Sequence, residues 1–273
     1  MRLSLATQSI SADAFLAQAE TTVVWLGMAG ALINARGTVM LIDPLLSLQP
    51  GSLDVVESGN RLRLPLPIEA SRIPHIDAVL YTHADFDHFG PLTARTLNEA
   101  LSPLFLAPKP VAHELSRVGV PADRLILARD YARHTIGDVE VEITPALHDW
   151  QETDPWQRED ACGYLLRTPD GTIWHPGDTR LIDELLTIRD VDVLFFDVAA
   201  VDAHLGPEGS ARLAATSGAR LLIAYHYGTF DLPPGDYGSC DPDNALPYLR
   251  TVRATYLQPD PGQIIKLPKA GRP

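Results

Sequence analysis

The sequence predicts an α/β domain built in layers, and two patterns carry that prediction. Seven short apolar, β-branched runs recur along the 273 residues: TTVVWLG (21–27), TVMLIDP (38–44), IDAVLYTH (76–83), VEVEITPALH (139–148), GTIWHPGD (171–178), VDVLFFD (191–197) and ARLLIAYH (219–226). Each has the length of a strand and is bounded by turn or polar residues. Helical patterns lie between some of them. GPLTARTLNEAL places Pro91 just after Gly90, PVAHELSRVG stops at Gly119, and GPEGSARLAATSG runs from Pro207 to Gly218. Proline at the first turn and glycine past the last are the expected helix boundaries. Strands interleaved with helices give layers of the two. The proline-rich patches at 65–74 and 231–243 are expected as surface loops. The chain is expected to form one domain over 1–273, with its core at about 22–230.

Composition narrows the function. Lys plus Arg number 22 and Asp plus Glu 35, a net charge of −13. A protein whose main partner is nucleic acid usually shows a basic face, so that class is excluded as the first reading. Two cysteines, Cys162 and Cys240, rule out a disulfide scaffold or a thiolate-rich zinc site. Neither has a basic neighbour in sequence to lower its pKa, so both are expected as small packed or surface thiols. The first twenty residues hold Asp13 and Glu20 and no long apolar block. No stretch approaches the roughly 18 apolar residues that cross a bilayer. The expectation is a soluble, cytoplasmic protein acting on a small molecule.

Several strand runs finish in a potential metal ligand: Asp43, His83, His148, Asp178 and His226. Ligands at neighbouring strand ends can converge on one point. The densest cluster is THADFDHFG (82–90), with His83, Asp85, Asp87 and His88 inside six positions. Imidazole and carboxylate are what first-row divalent ions take when thiolates are absent. Each piece alone has an ordinary structural reading: a packed histidine, a helix start, a Gly-Asp-Thr turn. Together, at successive strand ends, they point to one or two divalent ions. The expected ligands are His83, Asp85, Asp87, His88, His148, Asp178 and His226.

These motifs resemble the metallo-β-lactamase superfamily, in particular its branch of L-ascorbate-6-phosphate lactonase-like hydrolases. That signature reads HxHxDH, a distant histidine, a Gly-Asp-Thr aspartate and a final histidine. His83, Asp87 and His88 match the first motif, His148 the distant histidine, Asp178 the metal-bridging aspartate and His226 the last ligand. WLGMAGALI with LIDP is similar to the branch's opening hairpin, and AHLGPEGSARLA to its His-x-Gly-Pro-Glu segment, with His204 at the histidine. The resemblance spans roughly 22–230. It implies a four-layer αββα sandwich of two related halves, with the metals at one edge between the sheets. It also implies hydrolysis by a hydroxide generated on the metals, at a carbonyl or phosphoryl centre. Asp87 is then expected to pass a proton to the leaving group, and His204 to donate to the substrate without binding an ion.

Two positions depart from the pattern. Asp85 replaces the second histidine of HxHxDH, and Met28 stands where the hairpin often has histidine. Residues two apart on extended backbone point the same way, so Asp85 can still reach the ion that His83 binds. A carboxylate there makes the site harder and favours manganese or iron over zinc. Lactone hydrolysis is the first expectation. The alternatives are phosphodiester hydrolysis resembling the N-acyl-phosphatidylethanolamine phospholipase D type, or a catalytically impaired metal-binding or sensing module. The positive charge of two ions makes anionic substrates, such as phosphorylated lactones, reasonable. His175 is expected as a packed residue, and His75, His113 and His134 on the surface. The acidic stretch Asp149, Glu152, Asp154, Glu159 and Asp160 is expected as a solvated loop that could gate the site. Trp150 and Trp156 either pack or line a pocket.

Overall fold

A computed structural model describes residues 5–149 and 156–267. In chain order its strands are β1 (Thr22–Gly27), β2 (Gly30–Ala35), β3 (Thr38–Ile42), β4 (Ala78–Leu80), β5 (Leu104–Ala107), β6 (Leu125–Leu127), β7 (Arg133–Ile136), β8 (Val139–Pro145), β9 (Cys162–Thr168), β10 (Gly171–His175), β11 (Val193–Asp197), β12 (Leu221–Tyr225), β13 (Thr255–Leu257) and β14 (Ile264–Lys266). The helices are α1 (Pro91–Leu101), α2 (Lys109–Arg117) and α3 (Gly206–Ser217). They fall on the three segments expected from the sequence.

The strands form two seven-stranded sheets, ordered β14-β1-β2-β3-β4-β5-β6 and β13-β12-β11-β10-β9-β8-β7. In the first sheet β14 to β3 pair antiparallel and β3 to β6 parallel; in the second β7 to β10 pair antiparallel and β10 to β13 parallel. In the first sheet the outermost antiparallel strand is β14, supplied from the far end of the chain. The two sheets pack face to face with helices outside, so the fold is the αββα sandwich. Both sheets draw on residues beyond 230, so the structural core is longer than the stretch the motifs span.

Alternation along the strands divides the core. Val23 and Trp25 of β1 face the second sheet, where Val141, Ile143, Tyr164 and Trp174 meet them. Val24 and Leu26 point the other way, into a cluster with Ala94 and Leu97 of α1 and Val111 and Leu115 of α2. With both faces covered, β1, β3 and β12 are buried at every position. This is why they read as continuous apolar runs without a polar alternate. The strands missing from the sequence reading are short or interrupted. Among them β6 is three residues, and β9 carries Gly163 at its start and Arg167 near its end. Their order comes from ladder partners, which local pattern does not reveal.

The parallel strands bring their C-terminal ends to one edge. β8 reaches the same edge because two antiparallel steps, through β9, restore the direction of β10. Cross-sheet hydrogen bonds fasten that edge: Cys162 N donates to Thr82 O at 2.9 Å, and the Tyr164 hydroxyl donates to Tyr81 O at 2.7 Å. Both cysteines are buried.

Helix α1 follows the His83–Gly90 loop directly, and a distant residue caps it. Gly90 offers no side chain, but the half-buried Glu57 carboxylate accepts from Leu92 N at 2.5 Å, Thr93 N at 3.1 Å and Thr93 Oγ1 at 2.5 Å. A Cβ on residue 90 would come within 2.2 Å of that carboxylate. A side chain there would push the capping carboxylate aside. Replacing Glu57 by Ala orphans buried donors at the positive end of the helix. The expected loss is about 1–2 kcal/mol, read as a lower Tm with unchanged secondary structure by circular dichroism. An unchanged Tm would remove the cap.

Candidate metal centre

Every expected ligand lies at the shared strand edge. His83, Asp85, Asp87 and His88 follow β4, His148 follows β8, Asp178 follows β10 and His226 follows β12. Residues 85–89 turn back on themselves, with His88 N and Phe89 N donating to Asp85 O at 2.9 and 2.8 Å. That turn sends Asp87 and His88 inward and leaves Phe86 at the surface, 46% exposed. His83, His88 and His226 are fully buried, and His148, Asp178 and Asp87 nearly so.

The imidazoles are held from behind. His88 Nδ1 donates to Asp43 Oδ2 at 2.9 Å. Thr82 Oγ1 donates to the same oxygen at 2.6 Å and accepts from His83 Nδ1 at 2.9 Å. His226 Nδ1 donates to Asp197 Oδ1 at 2.9 Å and His204 Nδ1 to Asp197 Oδ2 at 3.1 Å. His148 Nδ1 donates to Ala203 O at 3.1 Å. With each Nδ1 engaged, each Nε2 points to the interior, where the neutral ring can offer a lone pair to an ion. Asp43, which ends a strand run as a potential ligand would, sits behind the ligands. Its carboxylate is spent on Thr82 and His88.

Asp178 stands among these Nε2 atoms. Its Oδ2 is 3.0 Å from His88, 3.4 Å from His204 and 3.8 Å from His83, and its Oδ1 is 3.5 Å from His226. Three groups of ligand atoms, each within 4.8 Å of one another, result: His83, His148 and Asp178; Asp87, His88 and His226; and Asp178, His204 and His226. Asp85 flanks the first group, its Oδ2 3.0 Å from His148 Nε2 and 3.6 Å from His83 Nε2. His83 Nε2 and Asp178 Oδ1 are buried without a hydrogen-bond partner. Orphaned acceptors at the centre of a histidine-carboxylate cluster fit divalent ions in both donor set and direction. His204 departs from expectation in place: the geometry puts its Nε2 within the ligand cluster and at the edge of the cavity, not beside the cavity alone.

Charge and burial pull against each other here. Burial would raise the Asp178 carboxyl, but His204, His226 and His88 hold it well below the usual range. Asp85 and Asp197 are lowered against burial in the same way, by His148 with His83 and by His204 with His226. His83 is lowered by burial and by the neighbouring His88. Burial likewise lowers His204, yet Asp178 and Asp197 overcome it and raise the group to about 9.

The remaining expectations divide. His175 is packed: its Nε2 donates to Ala29 O at 2.9 Å, Gly177 N donates to its Nδ1, and burial pushes it down to about 4. It anchors the turn that presents Asp178. His75 and His113 are exposed and His134 is half-buried. Trp156 packs edge-on to His83 and His148, with ring centroids 5.4 and 5.8 Å away. Asp149 binds Arg180 at 2.5 Å, and Glu159 is exposed. Trp150, Glu152 and Asp154 lie outside the described residues. Met28 is buried, and its carbonyl accepts from His226 N at 3.1 Å. Asp197 was hidden from the sequence reading as the polar end of VLFFD. Its signal was a carboxylate ending a strand, the same signal that marked Asp43.

Known proteins resemble the chain over most of its length. The family described as Beta-lactamase superfamily domain matches residues 38–227. A metal-dependent hydrolase from Pyrobaculum neutrophilum is 28% identical over 250 residues, covering 89% of this chain and 98% of that protein. Igni18, a metallo hydrolase from Ignicoccus hospitalis, superposes with a TM-score of 0.66 at 16% identity, covering 90% of this chain and 97% of that one. CmlA, a diiron β-hydroxylase from Streptomyces venezuelae, superposes with a TM-score of 0.67 at 20% identity over 91% of this chain and 54% of its own.

Two outcomes follow from the supports behind the ligands. Asp197→Asn leaves one acceptor oxygen for two imidazoles, so metal affinity is expected to fall about 10–100-fold with the fold intact. Equilibrium dialysis with elemental analysis measures it, and unaltered affinity would show that Asp197 orients nothing. In the metal-free protein the raised pKa of His204 contributes stability that is complete below its unfolded value of about 6.5. That contribution is lost as pH rises through about 9. The Tm of the chelated protein should decline across that window, and His204→Gln should flatten the decline.

Proposed function

The chain belongs to the metallo-β-lactamase superfamily, and from that membership we propose that it is a metal-dependent hydrolase holding two divalent ions, acting on a lactone or similar ester. The observation that carries the reading is the pair of facing ligand groups, His83–His148–Asp178 and Asp87–His88–His226, sharing one buried edge. When bound, divalent ions there supply Lewis acidity and bring a water's pKa from 15.7 toward about 7. Asp178 belongs to the first group and lies 3.0 Å from His88 and 3.5 Å from His226, so it would be a ligand common to both sides. Asp85 completes the His83–His148 side as a carboxylate in place of an imidazole. That favours a hard ion such as manganese or iron over zinc. A diiron enzyme among the fold neighbours is compatible with that choice.

Around this core the chain's own groups set the reaction. Asp87 lines the cavity and is placed to hand a proton to the leaving group. His204 lines it too, with one nitrogen held by Asp197 and the other aimed inward. It can donate to substrate or close the coordination of an ion. The cavity encloses about 340 Å³, the small end of the range for small-molecule sites. That volume favours a compact ester or lactone over a diacyl phospholipid, and so ranks lactone hydrolysis above the phospholipase D-type reading. Asp85 sits within reach of two ligand nitrogens, which supports a working site over an impaired one.

The test is metal content and turnover together. His88→Ala, Asp178→Ala and His226→Ala are each expected to lower bound metal after reloading and to abolish lactone hydrolysis. Asp85→His should raise zinc affinity relative to manganese. His204→Ala separates its two roles: reduced turnover with full metal marks a substrate contact, and loss of both marks a ligand. Full metal content in all three alanine variants would sink the centre as described.

A further inference from the structure

The cavity has two kinds of wall. Its floor is the ligand cluster, and its rim carries Phe86, Tyr237, Val201, Asp202 and Asp236. Phe86 and Tyr237 meet edge to face, with ring centroids 5.7 Å apart. Phe86 is held half-exposed by the tight turn between two ligand carboxylates. Tyr237 is half-buried, and its hydroxyl donates to Asn60 Oδ1 at 3.3 Å. An aromatic pair left open beside a reaction centre is a seat for apolar surface.

The rim of this seat is acidic. At the centre Asp43, Asp85, Asp87, Asp178 and Asp197 would be offset by two divalent ions and the His204 imidazole. Asp236 and Asp202 add to the rim. Arg180 reaches Asp202 of that rim at 2.7 and 3.1 Å and also binds Asp149 at 2.5 Å. No Lys or Arg lines the cavity among the described residues, and the sequence of 150–155 contains none. No described cation pairs with Asp236. The same field is felt at Tyr237, whose phenol is pushed up to about 12, first by burial and then by Asp87, with Asp236 and Asp85 adding.

We propose that the substrate is an uncharged lactone or ester carrying an aryl or short alkyl group, seated on the Phe86–Tyr237 pair, and that Asp236 turns away phosphorylated or carboxylated analogues. This rests on the hydrolase reading and reverses the expectation of an anionic substrate. A phosphate group needs a donor fork or a cation to replace its hydration, and the rim offers carboxylates.

The experiment uses the metal-loaded protein and three matched lactones: γ-butyrolactone, its γ-phenyl derivative and its γ-phosphomethyl derivative. Binding of 3-phenylcyclopentanone, which is not hydrolysed, is measured alongside by isothermal titration. The phenyl lactone is expected to exceed the phosphorylated one at least about tenfold in kcat/KM. Phe86→Ala and Tyr237→Ala should each shrink the advantage of the phenyl over the unsubstituted lactone by about tenfold, the scale of uncovering part of an aromatic ring, and weaken the ketone in parallel. Asp236→Lys should narrow the gap to the phosphorylated lactone about tenfold. Preference for the phosphorylated lactone, or ketone binding that neither aromatic variant weakens, would overturn the proposal while leaving hydrolysis standing. Ketone binding that Tyr237→Ala weakens, without turnover of any lactone, would uphold the seat and overturn the lactonase reading.

Discussion

Two carboxylates that do not face the cavity control the rest of the molecule. Asp43 and Asp197 are completely buried at the ends of β3 and β11. A buried carboxylate is tolerated only when donors surround it. Here the donors are the threonine and histidines of neighbouring strand ends. Satisfying Asp43 orients His88 directly and His83 through Thr82. Satisfying Asp197 orients His226 and His204. Four imidazoles are thereby turned to present Nε2 to a common centre, and Asp178 occupies that centre. The cost of burying charge and the precision of the ligand set are the same fact seen from two sides.

The sheets explain how such groups meet. In each sheet an aspartate follows the strand where antiparallel pairing gives way to parallel: Asp43 after β3 and Asp178 after β10. The equivalent positions have divided labour. One aspartate faces away from the cavity and braces imidazoles, while the other faces the cluster. Backbone strain gathers at the same edge. Asp43, His226, Met28 and Ala203 all adopt left-handed conformations, with φ of 43°, 65°, 50° and 61°. Non-glycine residues hold such angles only where surrounding bonds dictate them. His226 is fixed there by its amide bond to Met28 O and its ring bond to Asp197.

The sequence made the buried middle of the fold legible. Strands covered on both faces announce themselves as apolar runs, and α1 to α3 carry proline and glycine at their boundaries. The edge strands β6, β7, β13 and β14 were silent because three or four residues fix no pattern, and only a ladder neighbour makes them strands. At the site, residues in the 82–90 cluster and at strand ends were visible because ligand chemistry restricts residue type. Roles were less visible than positions. Asp43 and Asp178 look alike in sequence, each an aspartate ending an apolar run. What separates them is which neighbour claims the carboxylate, a property of the assembled edge. Glu57, 34 residues before the helix it caps, had no local signature at all.

The strand β14 pairs with β1, joining Val24 to Ile264 and Thr22 to Lys266. The first sheet is otherwise made of chain that ends at Leu127, yet its outer edge is filled only by residues emerging after the whole second sheet has been synthesised. During translation β1 therefore waits with an open row of backbone donors and acceptors, the kind of edge that recruits foreign strands. Closing it joins residues about 240 positions apart, a pairing that comes late because the loop entropy must be met before the contact rewards it. The proposed ion site, too, is incomplete until His226 follows β12. Nascent chains thus pass through a long interval in which sheet edge and candidate cluster are both unfinished; His226 ends the second exposure, and the first lasts until Ile264–Lys266 emerges.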